Sequence, residues 1–332
     1  MSGNEQADVS LGACREETSV GPLAQTGERS VGHSGSAPAR QRRPDAGRRE
    51  AGGERIGFGR VFAAEWQRLW KRRGVRWMAC AAPLLALISA KYLLLQNASL
   101  QPGLPEYATA GNMPVLALAE MLITAFSGMM LVLAGLSVTE EYRSGQLRMG
   151  MLRAVSLRRI MAAKWLVSLL YVWIQLGTYF VCSAAIGAIG FPKPERYPLF
   201  YGAGTVTYAQ GLIYDLGYYA LAALASAVLL TVIFCIASIA RSATASLGLG
   251  IGFLLLSYAL PTALSYFRPW FEAEAYVRIY FLSLLTIEWE GLAAMLANLH
   301  GLFFWNLSVL SGYGLLFGGL TAWIWKRRDS YE

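Results

Sequence analysis

The 332-residue sequence offers only two histidines and four cysteines as nitrogen and sulfur ligands for a metal. His33 and His300 stand far apart, and neither has further ligands near it in sequence. Protein metal sites need three or four such ligands, so a metal hydrolase is disfavoured and we expect no metal site. Cys80, Cys182 and Cys235 lie within apolar runs, and the fourth cysteine lies in a polar tail. This pattern indicates small packing residues and no disulfide framework.

A phosphate-binding loop is also missing. Such a loop places Gly directly before a Lys that is followed by Ser or Thr, so that backbone N–H groups and the ammonium hold the phosphates. None of the five lysines follows a glycine; they are Lys71, Lys91, Lys164, Lys193 and Lys326. We therefore expect no enzymatic activity and no cofactor in this chain. Any function driven by ATP needs a partner protein that binds the nucleotide.

Charged residues are scarce as well. They make up 15% of the chain against 55% hydrophobic residues, and the mean hydropathy is +0.40. These values are typical of a polytopic membrane protein. The net charge of +8 would suit a nucleic-acid partner, but the cations lie beside apolar runs and form no interleaved basic and aromatic surface. We interpret them as signals of membrane topology and expect no nucleic-acid partner.

Residues 1–58 hold almost no large apolar side chains. Such a segment cannot bury enough surface to offset chain entropy, which predicts a disordered, basic and polar tail. It contains no apolar core beside a cleavage site, so we do not expect a secretory signal peptide. Its arginines could attract anionic lipid, but acidic residues interrupt them and we favour a tail without a ligand. The lack of methionine between Met1 and Met78 leaves open a translation start near Val61.

An amphipathic helix is predicted between the tail and the first long apolar run. Its two faces differ in character, with Phe62, Trp66, Leu69 and Trp70 on one and Glu65, Arg68, Lys71 and Arg72 on the other. Tryptophans beside cations are typical of a helix that lies in the lipid headgroup layer, and Gly74 offers a bend into the bilayer. We therefore expect an interfacial helix in contact with membrane lipid.

Six apolar runs are long enough to cross the hydrocarbon layer, which takes about 20 residues. They predict an all-α protein with one transmembrane domain over residues 59–328, in which the interfacial helix precedes six transmembrane helices. The predicted spans are 78–95, 114–138, 165–190, 216–240, 243–264 and 302–325. Most Lys and Arg residues near the span ends fall on one side. That excess predicts a multi-pass protein of the plasma membrane with both termini in the cytoplasm.

Residues 266–300, between the fifth and sixth spans, are too apolar for a plain loop. Their apolar runs, 279–287 and 291–299, are each too short to cross the membrane and predict re-entrant or surface helices at the outer leaflet.

Two acidic residues within the spans are candidates for a translocation path, because ionisable groups inside a bilayer are rare and functional. Glu120 lies in the second predicted span and Asp215 begins the fourth. Either could line the path or pair with Lys91. The alternative is that both lie hydrated in the outer interface.

The loop of residues 139–164 joins the second and third spans and carries a dense set of charges. Glu140 and Glu141 close the second span, and a turn follows at Ser144. Leu147, Met151 and Val155 then recur at one-turn spacing, which predicts a short helix. Five arginines make the loop basic; they are Arg143, Arg148, Arg153, Arg158 and Arg159. It predicts either a docking surface or a solvated connector whose arginines only orient the spans.

This loop resembles the first cytoplasmic loop of ABC-2 type permeases, the membrane subunits of ATP-binding cassette exporters. The shared features are an acidic pair, a small residue followed by Gly, a Leu-rich short helix, Val155-Ser156 and a Lys that opens the next span. Two positions depart from the pattern: Ala154 replaces a frequent proline and Leu157 a frequent arginine. The six-span layout resembles the family over about Val61 to Arg328.

The resemblance implies an all-α membrane subunit that forms the path for an exported substrate of unknown class. It implies an elbow helix before the first span, short helices before the last span, and a homodimer or a heterodimer with a related permease. It also implies that a separate ABC ATPase subunit receives the loop. The coupling residues would be Glu140, Glu141, Arg143, Gly145, Leu147, Arg148, Met151, Leu152, Arg153, Ser156 and Arg158.

Three other classes stay open from the residues alone. An ATP-independent transporter usually shows interrupted spans and charged midplane sites, and neither is evident in the sequence. A membrane scaffold or immunity protein would bind a target without moving it. The acidic pair is also similar to the EExxxR motif of intramembrane CAAX-type proteases, but Gly145 stands where that motif has arginine.

Overall fold

The apolar runs of the sequence form helices, because a helix satisfies its own backbone N–H and C=O groups where lipid offers no partner. The computed structural model describes residues 57–144, 156–199, 204–240, 242–297 and 301–330. Within these ranges six helices are long and apolar enough to cross a membrane, and one bent helix pair could form a seventh crossing. The predicted all-α, multi-pass membrane protein is confirmed.

The helices succeed one another along the chain with short connections. They are α1 (Phe58–Lys71), the first span α2 (Arg73–Asn97), the second span made of α3 (Met113–Met121), a first π-turn (Leu122–Phe126) and α4 (Ser127–Ser144), the third span α5 (Leu157–Gly190), the fourth span α6 (Tyr208–Ile239) and the fifth span α7 (Ala243–Ser265). Then follow a 3₁₀ turn (Arg268–Trp270), α8 (Ala273–Tyr280), α9 (Leu284–Thr286), a second π-turn (Ile287–Gly291), α10 (Leu292–Leu296) and the sixth span α11 (Leu302–Ser330). In the described part of the chain the strands are β1 (Tyr197–Pro198) and β2 (Thr205–Val206), which pair antiparallel.

The third and fourth spans begin eight residues earlier than hydropathy predicted. Helix α5 begins at Leu157 instead of residue 165, and α6 begins at Tyr208 instead of residue 216. At the start of α6 the backbone N–H of Thr207 donates to Gln210 Oε1 at 3.1 Å, which stabilises a helix start outside the apolar run. Asp215 therefore lies in the third turn of the fourth span, and its predicted place at the start of the span is wrong.

The predicted interfacial helix is present as α1, but two details of the prediction are wrong. Glu65 lies on the buried side of the helix and not on an exposed charged face. The bend into the first span lies at Arg72 and not at Gly74. Arg72 is extended, with φ −73° and ψ 124°, and its N–H still bonds the carbonyl of Leu69 at 3.1 Å. A single residue thus separates α1 from α2.

The second and fourth spans form the centre of the helix bundle, whereas the fifth and sixth spans are the least buried. The fifth span joins the bundle through three small residues, Ser246, Gly250 and Ser257. Gly250 lies so close to Leu131 that a Cβ at this position would overlap the leucine side chain. Small residues allow such close approach of helices in a membrane.

Two regions that carried predictions lie outside the described residues. One is residues 1–56, which contain nearly all of the predicted tail, and the other is residues 145–155, which contain most of the predicted coupling loop.

Candidate functional site

The predicted coupling loop lies between two long helices whose ends the structure describes. Glu140, Glu141 and Arg143 belong to the last turns of α4, for which the backbone alone is described. Ser156 directly precedes α5 and is half-buried, and Arg158 is exposed in the first turn of that helix. The other predicted coupling residues, Gly145, Leu147, Arg148, Met151, Leu152 and Arg153, fall outside the described ranges.

A buried ion pair connects α1 to the helix that follows this loop. Lys164 Nζ donates to Glu65 Oε2, and the two residues expose only 4% and 6% of their side chains. Arg68 Nη1 donates to the other carboxylate oxygen at 2.9 Å from an exposed position. Both oxygens of Glu65 thus receive charged donors, which is the condition under which a buried ion pair can be tolerated. This pair was not predicted, because helical spacing placed Glu65 on the charged face of α1 and Lys164 is distant in the sequence.

Polar side chains further along the same face of α5 hold the third span against its neighbours. Tyr171 Oη donates to the carbonyl of Val75 at 2.8 Å, and Gln175 Nε2 donates to that of Met78 at 2.6 Å. One turn later, Tyr179 Oη lies 2.8 Å from Ser89 Oγ. Together with Lys164 these side chains fasten α5 to α1 and the first span over about four turns.

At the opposite end of the bundle, Tyr197 of the β-hairpin inserts between two helix starts. Its ring contacts Gly111 and Gly211, where an added Cβ would overlap the phenol. Burial raises the pKa of Tyr197 to about 12, and the nearby Asp215 carboxylate and Tyr208 add to the increase. The phenol is therefore un-ionised at neutral pH. In the described part of the chain Tyr197 Oη has no hydrogen-bond partner.

The two acidic candidates for a translocation path occupy different environments. Asp215 is buried with 3% exposure, so the alternative of a hydrated interfacial residue is wrong for it. Among the described residues its Oδ1 atom has no hydrogen-bond partner. Glu120 is exposed on α3, and the ion pairs of the described residues join neither acid to Lys91. Asp215 lines a small cavity with Gly111, Pro114 and five other residues, namely Ala110, Phe180, Ala184, Tyr208 and Leu212.

A second buried acid, Glu288, lies in the bent segment before the sixth span. Helix α8 and the run from α9 to α10 meet at an angle of 95°, a geometry that fits a broken span or a re-entrant loop. Glu288 is fully buried in the second π-turn, which contacts the first π-turn of the second span. Ser127 Oγ donates to Glu288 Oε2 at 3.3 Å. The sequence prediction missed Glu288, because this run was interpreted as short outer helices and its acids as loop charges.

π-Turns are rare and frequently occur at functional sites, so two of them in contact mark the surroundings of Glu288 as unusual. In the described residues no group of three or more His, Cys, Asp and Glu side chains is arranged to hold a metal ion. Near the Glu288 carboxylate lie the hydroxyl of Ser127 and the carbonyl of Gly291, to which the amide of Asn306 donates.

The comparison with known proteins identifies a family but no activity. A family model described as "Protein of unknown function (DUF2705)" matches residues 83–331, from the first span to the end of the sixth. No curated protein matches the sequence. Since the match covers about three quarters of the chain, from within the first span to the sixth, the chain belongs to the DUF2705 family.

Proposed function

We propose that the chain is the membrane subunit of an ATP-binding cassette exporter, which forms the path for a substrate while a separate ATPase subunit hydrolyses ATP. In this proposal it lies in the plasma membrane with both termini in the cytoplasm. The ATPase binds the loop of residues 139–164. No catalytic residue and no cofactor is assigned to the chain itself.

The observation that carries the proposal is the buried ion pair between Glu65 and Lys164. It lies where the third span leaves the loop, and it joins that span to α1. A coupling loop works only if force applied to it reaches the transmembrane helices. The ion pair, with the hydrogen bonds of Tyr171 and Gln175 above it, supplies that rigid connection.

The order of the elements also supports the proposal. An interfacial helix precedes the first span, a charged loop joins the second and third spans, and short bent helices precede the sixth. These are the features that the resemblance to ABC-2 type permeases implies. The fifth span adds largely uncovered apolar side chains, among them Leu249, Leu256 and Tyr258. Lipid or a second membrane subunit can cover these side chains, in agreement with the proposed homodimer or heterodimer.

The test is co-purification with an ATP-binding cassette ATPase, for which a gene adjacent to that of this chain is the first choice. We expect Leu147→Ala with Leu152→Ala to weaken the complex by orders of magnitude, because each apolar side chain contributes about 1.5–3 kcal/mol when buried. Reversal of Arg148 and Arg153 to Glu should weaken it less, since rim charges act mainly on association rate and specificity. The amount of each variant in the membrane is the control.

Normal association and normal ATP turnover in the double alanine variant would show that the loop is a connector. If no ATPase binds the wild-type chain, the exporter proposal fails as a whole. A complex that contains one copy of the chain for each ATPase pair would contradict the dimer.

A second candidate is a transporter that works without ATP, and the bent segment around Glu288 favours it. Interrupted helices and an acid inside the membrane domain are typical of secondary carriers. The two candidates differ in their energy source. Transport by the purified chain in vesicles, driven by an ion gradient in the absence of any ATPase, would support the second candidate.

A further inference from the structure

Glu288 is an acid that the bundle buries without a cationic partner. It is fully inaccessible to solvent, and the ion pairs of the described residues do not include it. Its Oε2 atom accepts one hydrogen bond, from Ser127, while Oε1 has no partner within the described ranges. A buried carboxylate that lacks a balancing charge is strongly destabilising, because no ion pair compensates for its loss of hydration. Something must neutralise Glu288 when the bundle is folded.

Two further buried oxygens near this acid also have no hydrogen-bond partner among the described residues. They are Tyr218 Oη of the fourth span and Asn306 Oδ1 of the sixth span, and both residues are fully buried. Asn306 Nδ2 reaches the carbonyl of Gly291 at 3.4 Å, three residues after Glu288 in the same π-turn. The fourth span, which carries Tyr218, contacts this π-turn. Native interiors rarely leave such groups unpaired, so three around one turn require an explanation.

We infer that Glu288, Tyr218 and Asn306 form a binding site for one alkali metal cation, with Ser127 holding the second carboxylate oxygen. The three unpartnered atoms are all oxygens, the donor type that hard cations prefer over softer transition metals. One carboxylate balances one positive charge, so a monovalent ion leaves the site neutral whereas a divalent ion does not. A proton would also neutralise Glu288, and the dependence of Tm on salt and on pH distinguishes the proton from the cation. The inference does not depend on whether the chain is an exporter subunit.

The experiment uses the full chain, purified in lipid nanodiscs and unfolded by heat at constant pH and ionic strength. The salts are LiCl, NaCl, KCl and N-methyl-D-glucamine chloride, whose organic cation is too large for the site. We expect one alkali ion to raise Tm in a saturable way, by about 5 °C at 100 times its Kd. Equilibrium dialysis with that ion should give one bound cation per chain.

Three variants separate cation binding from ordinary stability. Glu288→Gln keeps the shape and the acceptor for Ser127 but removes the charge, so its Tm should be the same in all four salts. Tyr218→Phe removes one unpartnered oxygen, so it should bind the cation about tenfold more weakly and keep its Tm in the organic salt. The matched control is Tyr219→Phe, whose hydroxyl donates to the carbonyl of Pro114 at 3.0 Å. That variant should lose stability equally in every salt.

The inference is overturned if wild-type Tm is the same in all four salts, or if Glu288→Gln keeps the response to the alkali ion. It is also overturned if Tm depends on pH alone, because a proton then neutralises Glu288. Should Glu288→Gln fail to fold, the comparison of Tyr218→Phe with Tyr219→Phe decides the matter alone.

Discussion

Glu65 and Lys164 form an ion pair that is almost fully removed from solvent, although 99 positions separate them in the sequence. The pair joins the interfacial helix α1 to the third span. Arg68, at the exposed rim, donates to the other carboxylate oxygen of Glu65. Since α1 joins the bundle mainly through the third span and the first span, this pair fixes where α1 lies against the bundle.

We expect Lys164→Ala to destabilise the protein by about 3–5 kcal/mol, because it leaves Glu65 buried with its main partner removed. A loss of this size lowers Tm by on the order of 10 °C. The double variant Glu65→Leu with Lys164→Met should recover most of that loss, since an apolar pair of similar volume needs no charge balance. Thermal unfolding in nanodiscs measures both.

The control for this prediction is Arg68→Ala, which removes the exposed partner of the same carboxylate. An exposed ion pair contributes only about 0–1 kcal/mol, so Tm should change little. A double variant no more stable than Lys164→Ala would mean that the ion pair has a role that apolar packing cannot replace.

The spans were predictable from sequence because crossing a bilayer demands a run of apolar residues, which is a local property. The burial of Glu65 was not predictable from local sequence. Its helical spacing fitted the polar face, and the distant residue Lys164 supplies the charge that allows it to be buried. Glu288 shows a second limit. The two acids in the run from Ile279 to Leu299, Glu288 and Glu290, look like loop charges, and only the structure shows that Glu288 is buried and contacts Ser127 of the second span.

Tyr197 and Gly211 allow a test of the contact at the other end of the bundle. We expect Gly211→Ala to lower Tm by several degrees, because the new methyl group overlaps the phenol of Tyr197 and overpacking costs about 1–3 kcal/mol. In a Tyr197→Ala background Gly211→Ala should cost little further stability, because the phenol that it overlaps is gone. The matched control is Gly177→Ala in the third span, where the added Cβ would meet no atom of another residue's side chain or of another segment within 4 Å. It should be neutral or slightly stabilising, since Ala favours helix over Gly.

Ser257 fastens the bent segment to the fifth span. Its hydroxyl lies 2.9 Å from Ser283 Oγ and accepts from the N–H of Leu285 at 3.3 Å. We expect Ser257→Ala to cost about 1–2 kcal/mol and to make residues 268–283 more sensitive to protease, because a buried N–H loses its acceptor. The control is Ser265→Ala, whose exposed hydroxyl bonds only the carbonyl of Thr262 in its own helix. Equal protection from protease in both variants would contradict the role of Ser257.

The topology predicted from the distribution of cations can be tested with single cysteines. The four native cysteines are first replaced by alanine, and one cysteine is then placed at residue 150 of the loop or at residue 195 before the β-hairpin. With both termini in the cytoplasm, two spans precede residue 150 and three precede residue 195, so the two positions lie on opposite sides. A membrane-impermeant thiol reagent applied to whole cells should therefore label only residue 195, and disruption of the membrane should expose residue 150.

Labelling of residue 150 in intact cells would place the loop outside, where no ATPase could reach it. The exporter proposal would then fall together with the predicted orientation, whereas the alkali cation site around Glu288 would be unaffected because it lies within the bundle.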